Sequence, residues 1–152
     1  MQPDVQTTIQ NIFRGADECN WQRVCQSFAA QVHLDYTSMN GGAPALLTPQ
    51  QISDAWQQVF PGFDATHHQL GNFEVEVTDN EAFVFCYGTA THYLPHHKGN
   101  VWTIVGTYDF HLVQEDGAWQ ADKMVFHFKY QDGNTDLPKL AMDKAKQRSF
   151  IR

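Results

Sequence analysis

The chain has 152 residues, 42% of them apolar and 13% aromatic, and a formal charge of −7. A chain of this length can form one domain, residues 1–152, that buries its own core without disulfide or metal support. The acidic balance argues against a nucleic-acid partner, because phosphate backbones are held mainly by Lys and Arg, and no apolar run nears the ~18 residues that would span a bilayer.

The opening MQPDVQTT has neither the basic nor the apolar region of a signal peptide. Cys19, Cys25 and Cys86 form no CxxC pair. An odd, unpaired set reads as small buried hydrophobes in a reducing compartment, so a soluble cytoplasmic protein is expected.

Val5, Ile9, Ile12 and Phe13 fall on one helical stripe, which Arg14-Gly15-Ala16 should end. Trp21, Val24, Cys25 and Phe28 repeat the stripe and predict a second helix over about 18–28. Residues 31–36 alternate as a short strand, and Asn40-Gly-Gly-Ala-Pro44 breaks it. Thr48-Pro49-Gln50-Gln51 reads as a capped helix start, with Ile52, Trp56, Val59 and Phe60 as the buried face and Pro61-Gly62 as the stop. From about 64 to 131, four long runs of β-branched and aromatic residues are separated by Asp79-Asn80, Lys98-Gly99-Asn100 and Asp116-Gly117, which are hairpin residues. Leu137, Leu140 and Ala141 suggest a weak terminal helix, and Lys139, Lys144, Lys146, Arg148 and Arg152 would complement the C-terminal end of its dipole. Helix, helix, strand, helix and then a meander is an α+β order, with three N-terminal helices packed on the concave face of a curved antiparallel sheet. The interior of that cone is the expected pocket.

Asp17, four residues before Trp21, is either the N-cap of the second helix or a buried carboxylate that orients a pocket histidine. His68, Leu70 and Asn72 share one strand face, with His67, Gln69 and, allowing one bulge near Gly71, Phe73 on the other. His92 lies on the face of Cys86, Gly88 and Ala90, whose small side chains leave room beside it. Pairing across Asp79-Asn80 sets His68 opposite His92. Neither HxH nor HExxH occurs, and His96-His97 beside Lys98 reads as exposed, so no metal or other cofactor is expected. No GxSxG or phosphate-binding glycine loop is present.

Asp17 before Trp21, Leu34-Asp35-Tyr36, Trp56, Thr66-His67-His68 with Asn72, Ala90-Thr91-His92, Gly106 with Tyr108, and Gly117 with Trp119 together resemble the SnoaL-like branch of the NTF2-like superfamily, the fold of scytalone dehydratase and ketosteroid isomerase. The resemblance spans nearly the whole chain. It implies His68, held by Asp17, as general base and acid, His92 as its assistant, and Tyr36 as the group polarising a substrate carbonyl. Ala16 stands where the dehydratase pattern has a second tyrosine, and Tyr108 stands at or near its asparagine. A lost carbonyl-polarising hydroxyl is worth about 2 to 4 kcal/mol of transition-state stabilisation unless Tyr108 or Tyr87 supplies it. Phe13, Trp56, Asn72, Tyr87 and Tyr108 are the candidate substrate contacts. The implied activity is cofactor-independent proton transfer, as a dehydratase, isomerase or cyclase, on a hydrophobic cyclic or polyketide-like molecule. A non-catalytic small-molecule-binding protein and an accessory scaffold subunit are the alternatives. A homodimer through the sheet is expected.

Overall fold

The computed structural model describes residues 3–150. Asp4 accepts a hydrogen bond from the Thr7 amide (2.7 Å) and starts helix α1, Val5–Asp17, whose Ile9 and Ile12 are fully buried. This helix runs past the expected break. Gly15 is a close-packing residue, since a Cβ there would lie 2.7 Å from the Val24 side chain. Helix α2, Trp21–Gln26, therefore crosses tightly against α1 and is capped by Asn20, not by Asp17.

Strand β1, Phe28–Asp35, leads to a single helical turn, α3, Thr37–Asn40, and a short strand, β2, Ala45–Leu47. Helix α4, Pro49–Trp56, has the full capping box expected of Thr48 and Gln51. Its polypeptide then tightens into a 3-10 turn, Phe60–Gly62.

The meander consists of β3, Ala65–Thr78; β4, Glu81–Tyr93; β5, Val101–Glu115; and β6, Ala118–Gly133. At the last hairpin Asp116 and Gly117 have φ of 51° and 79°, the left-handed pair that matches strand twist. The six strands run in the order β2-β1-β6-β5-β4-β3, with β1 parallel to β6 and the others antiparallel, in a curved, unclosed sheet. The α+β cone expected from the sequence is the architecture found.

Register differs from expectation by two residues. His92 pairs with Thr66, and His68 with Ala90. A shift of two preserves the face of every side chain, so both imidazoles still point inward. A bulge between Gly71 and Glu74, with Asn72 at φ 53°, then reverses the alternation and turns Phe73 toward the core instead of away from it.

The main core gathers Ile9, Phe28, Val32, Ile52, Leu112 and Met124 between helices and sheet. A second, smaller core holds Phe63, Leu94, Trp102, Leu137 and Ala141 under helix α5, Leu137–Phe150. No helix among the described residues is long and apolar enough to cross a membrane.

A Cβ at Gly62 would lie 1.7 Å from the Ala141 carbonyl oxygen, whereas one at Gly71 would meet nothing within 4 Å. Gly62→Ala is expected to destabilise by about 2 kcal/mol or more, and Gly71→Ala by about zero, as read from urea unfolding of the two variants.

Candidate active site

A cavity of about 440 Å³ opens between the helices and the inner sheet face. Its walls are largely aromatic, and among the described residues no Lys, Arg, Asp or Glu lines it. Its polar lining side chains are Tyr36, Thr37, Asn40, His68, His92 and Tyr108, of which the two imidazoles and two phenols carry acid-base chemistry.

Asp17 sits behind His68, at the C-terminal end of α1. Helix dipoles disfavour a carboxylate there, so it needs donors, and β3 supplies them. Asp17 Oδ1 accepts from the Thr66 hydroxyl (2.9 Å) and lies 2.7 Å from His68 Nδ1, while Oδ2 accepts from the His68 amide (2.9 Å). Burial by itself would raise the Asp17 pKa, but the hydrogen bonds and charge interaction with His68, aided by Thr66, hold it below the ordinary carboxylate value. A carboxylate on Nδ1 fixes the proton at that nitrogen and leaves the Nε2 lone pair on the cavity side of the ring. Phe13 and Phe60 pack on the imidazole with centroids at 5.1 and 5.9 Å.

His92 is held differently. Its Nδ1 donates to the Trp102 carbonyl (2.9 Å), and its ring is clasped by Phe63 at 5.0 Å and Trp102 at 4.4 Å. Burial pushes its pKa down to about 4, against a smaller opposing effect of the Trp102 hydrogen bond. His92 is thus a neutral imidazole whose Nε2 can accept a hydrogen bond near pH 7. The rings of His68 and His92 meet edge to face at 6.1 Å.

Burial raises the pKa values of Tyr36 and Tyr108, whose hydroxyls influence each other, above that of an ordinary tyrosine. They remain neutral donors. Gly88 makes room for this pair, because a Cβ there would lie 2.5 Å from the Tyr108 ring.

The family model for the SnoaL-like domain matches residues 3–125. The chain belongs to the SnoaL-like family. Its fold is shared by the Kfla4162 protein of Kribbella flavida, at 21% identity and TM-score 0.73, covering 94% of this chain and 99% of that one. It is shared too by a candidate scytalone dehydratase from Novosphingobium aromaticivorans, at 15% identity and TM-score 0.74 over 86% and 85% of the two chains. The hexachlorocyclohexane dehydrochlorinase LinA-type3 of Novosphingobium barchaimii is similar at 14% identity and TM-score 0.67, over 86% and 90%. No curated protein matches the sequence.

In this SnoaL-like chain, Phe13, Tyr36, Trp56, His68, His92 and Tyr108 all line the one cavity, with Asp17 behind them. Asn72 and Tyr87 do not join them. Asn72 is the exposed extra residue of the β3 bulge. Tyr87 alternates with inward-facing Cys86 and Gly88, so it points to the outer face, 47% exposed, under the Lys129 ammonium. Sequence reasoning missed Thr66, Phe60, Phe63 and Trp102. The Thr-His-His run carried a signal for Thr66, since residues two apart on a strand share a face; the aromatic clasp carried none. Among the described residues no group of three or more His, Cys, Asp or Glu is arranged to hold a metal ion.

Unfolded, His92 binds a proton near 6.5; folded, it does so only near 4. Its contribution is therefore intact above pH 6.5 and is lost as pH falls toward 4, by on the order of 3 kcal/mol at full extent. Asp17, with its lowered pKa, adds a further loss only below the ordinary carboxylate range. Urea midpoints measured from pH 7 to 4.5 should fall steeply for the native chain and much less for His92→Gln.

Proposed function

We propose that this protein is a small cofactor-independent lyase or isomerase that moves a proton on a neutral, hydrophobic cyclic or polyketide-like substrate. The observation that carries this reading is the Asp17–His68 pair at a cavity whose lining, among the described residues, holds no Lys, Arg, Asp or Glu. His68 Nε2 takes a proton from a carbon next to a substrate carbonyl, and Asp17 stabilises the imidazolium that forms. Tyr36, supported by Tyr108, donates to the developing enolate oxygen. His92, neutral, accepts from a substrate hydroxyl and keeps it in place. The imidazolium then returns the proton, to a leaving hydroxyl in a dehydration or to another carbon in an isomerisation, so that His68 ends each cycle as it began. The dehydrochlorinase named above performs an elimination by its printed name, and this supports elimination or isomerisation as the class.

The outer sheet face bears Phe83, Tyr87 and Tyr130 at 57%, 47% and 56% exposure. These support pairing with a second copy through the sheet. Free thiols at Cys25 and Cys86 suit the proposed cytoplasmic location.

Beta-tetralone in heavy water tests the chemistry without knowledge of the natural substrate. The native chain should speed exchange of the protons beside the carbonyl, and His68→Ala and Asp17→Asn should each lower that rate by about a hundredfold or more while their circular dichroism stays native. Undiminished exchange in both variants would refute the reading. Sedimentation should give a dimer for the native chain, and Phe83→Glu should shift it toward monomer.

A further inference from the structure

The last helix lies outside the matched family region, residues 3–125, and among the described residues contributes no side chain to the cavity lining. Yet it is joined closely to the cavity wall. Arg148 Nη1 donates to the Pro61 carbonyl (2.6 Å) and the Phe63 carbonyl (3.1 Å), and Nη2 pairs with Asp64 (2.8 Å). These acceptors belong to the segment that presents Phe60 to His68 and Phe63 to His92. The same segment abuts α5 at Gly62, where the Ala141 carbonyl leaves no space for a Cβ. Leu137 and Ala141, both fully buried, pack against Phe63 and Trp102, the two rings that clasp His92. A guanidinium is suited to this junction, since its planar fork of donors can serve several oxygens at once.

We propose that Arg148 is a positioning residue for both imidazoles: by clamping the main chain of residues 61–64 it holds Phe60 and Phe63 in place and keeps water from reaching His68 and His92 from behind. The catalytic significance of this clamp rests on the proton-transfer reading of the site, but its physical effect does not. The groups that face His92 are His68 from β3, the Trp102 carbonyl from β5, Asp17 beyond His68 from α1, and Phe63 from the clamped turn. Loosening the turn changes only the last of these and admits solvent.

Ring nitrogen NMR of the full chain, titrated without any ligand, reads the effect. In Arg148→Ala the His92 midpoint should rise from about 4 by on the order of one pH unit as hydration returns. His111, which pairs with Glu81 and Asp122, should titrate as in the native chain. Arg148→Lys keeps the charge near Asp64 but not the fork, and should move His92 in the same direction by less. Asp64→Asn, which removes only the outer ion pair, should leave His92 where it is. A folded Arg148→Ala with an unmoved His92 midpoint overturns the proposal, as does an equal displacement of His111, which would mean general loosening. Arg148→Lys decides the question if Arg148→Ala does not fold. A native chain inactive on beta-tetralone would count against the proposed reaction and leave this test untouched.

Discussion

One carboxylate organises the site. Asp17 ends a helix whose dipole repels it and is half-withdrawn from water, yet it stays ionised because the hydroxyl of Thr66, the amide of His68 and the ring of His68 all converge on its two oxygens. Two of those donors come from one residue, so main chain and imidazole are fixed together relative to α1. Removing the carboxylate would free the ring to choose its tautomer and would leave a buried amide unsatisfied.

The two inward imidazoles are made unequal by their surroundings. His68 has a carboxylate on one nitrogen, which fixes the ring by a charged acceptor. His92 has a neutral carbonyl on one nitrogen and aromatic rings around it, which disfavour charge. Two neighbouring rings of the same type thus meet different fields, and under the proton-transfer proposal a neutral His92 would spare a protonated neighbour mutual repulsion. The tyrosine pair completes the set with donors that remain neutral.

Much of this was readable from the sequence because it depends on local chemistry. The Thr48 capping box, the Asp116-Gly117 turn and the run of small residues from Cys86 to Ala90 each state their geometry within a few residues. The end of α1 was misread because Gly15 looks like a breaker, and only the proximity of Val24 explains it. Strand register was two residues off, since the hairpin residues alone do not fix it; the inward faces of His68 and His92 survived, and the placements of Phe73 and Asn72 did not. Arg148 looked like a partner for a helix dipole, and its reach to Pro61 and Phe63 spans more than eighty positions that no local pattern connects.

Strand β3 is an edge of the sheet, paired on one side only with β4. Unpaired edge amides invite another chain to add itself as a further strand. On the stretch that carries the reactive ring, the outward amide of His68 is already committed to the end of α1, and beyond the bulge the edge is studded with exposed Glu74 and Glu76. The contact that orients an imidazole therefore also covers part of an open sheet edge, so one side chain serves both the cavity and the border of the sheet.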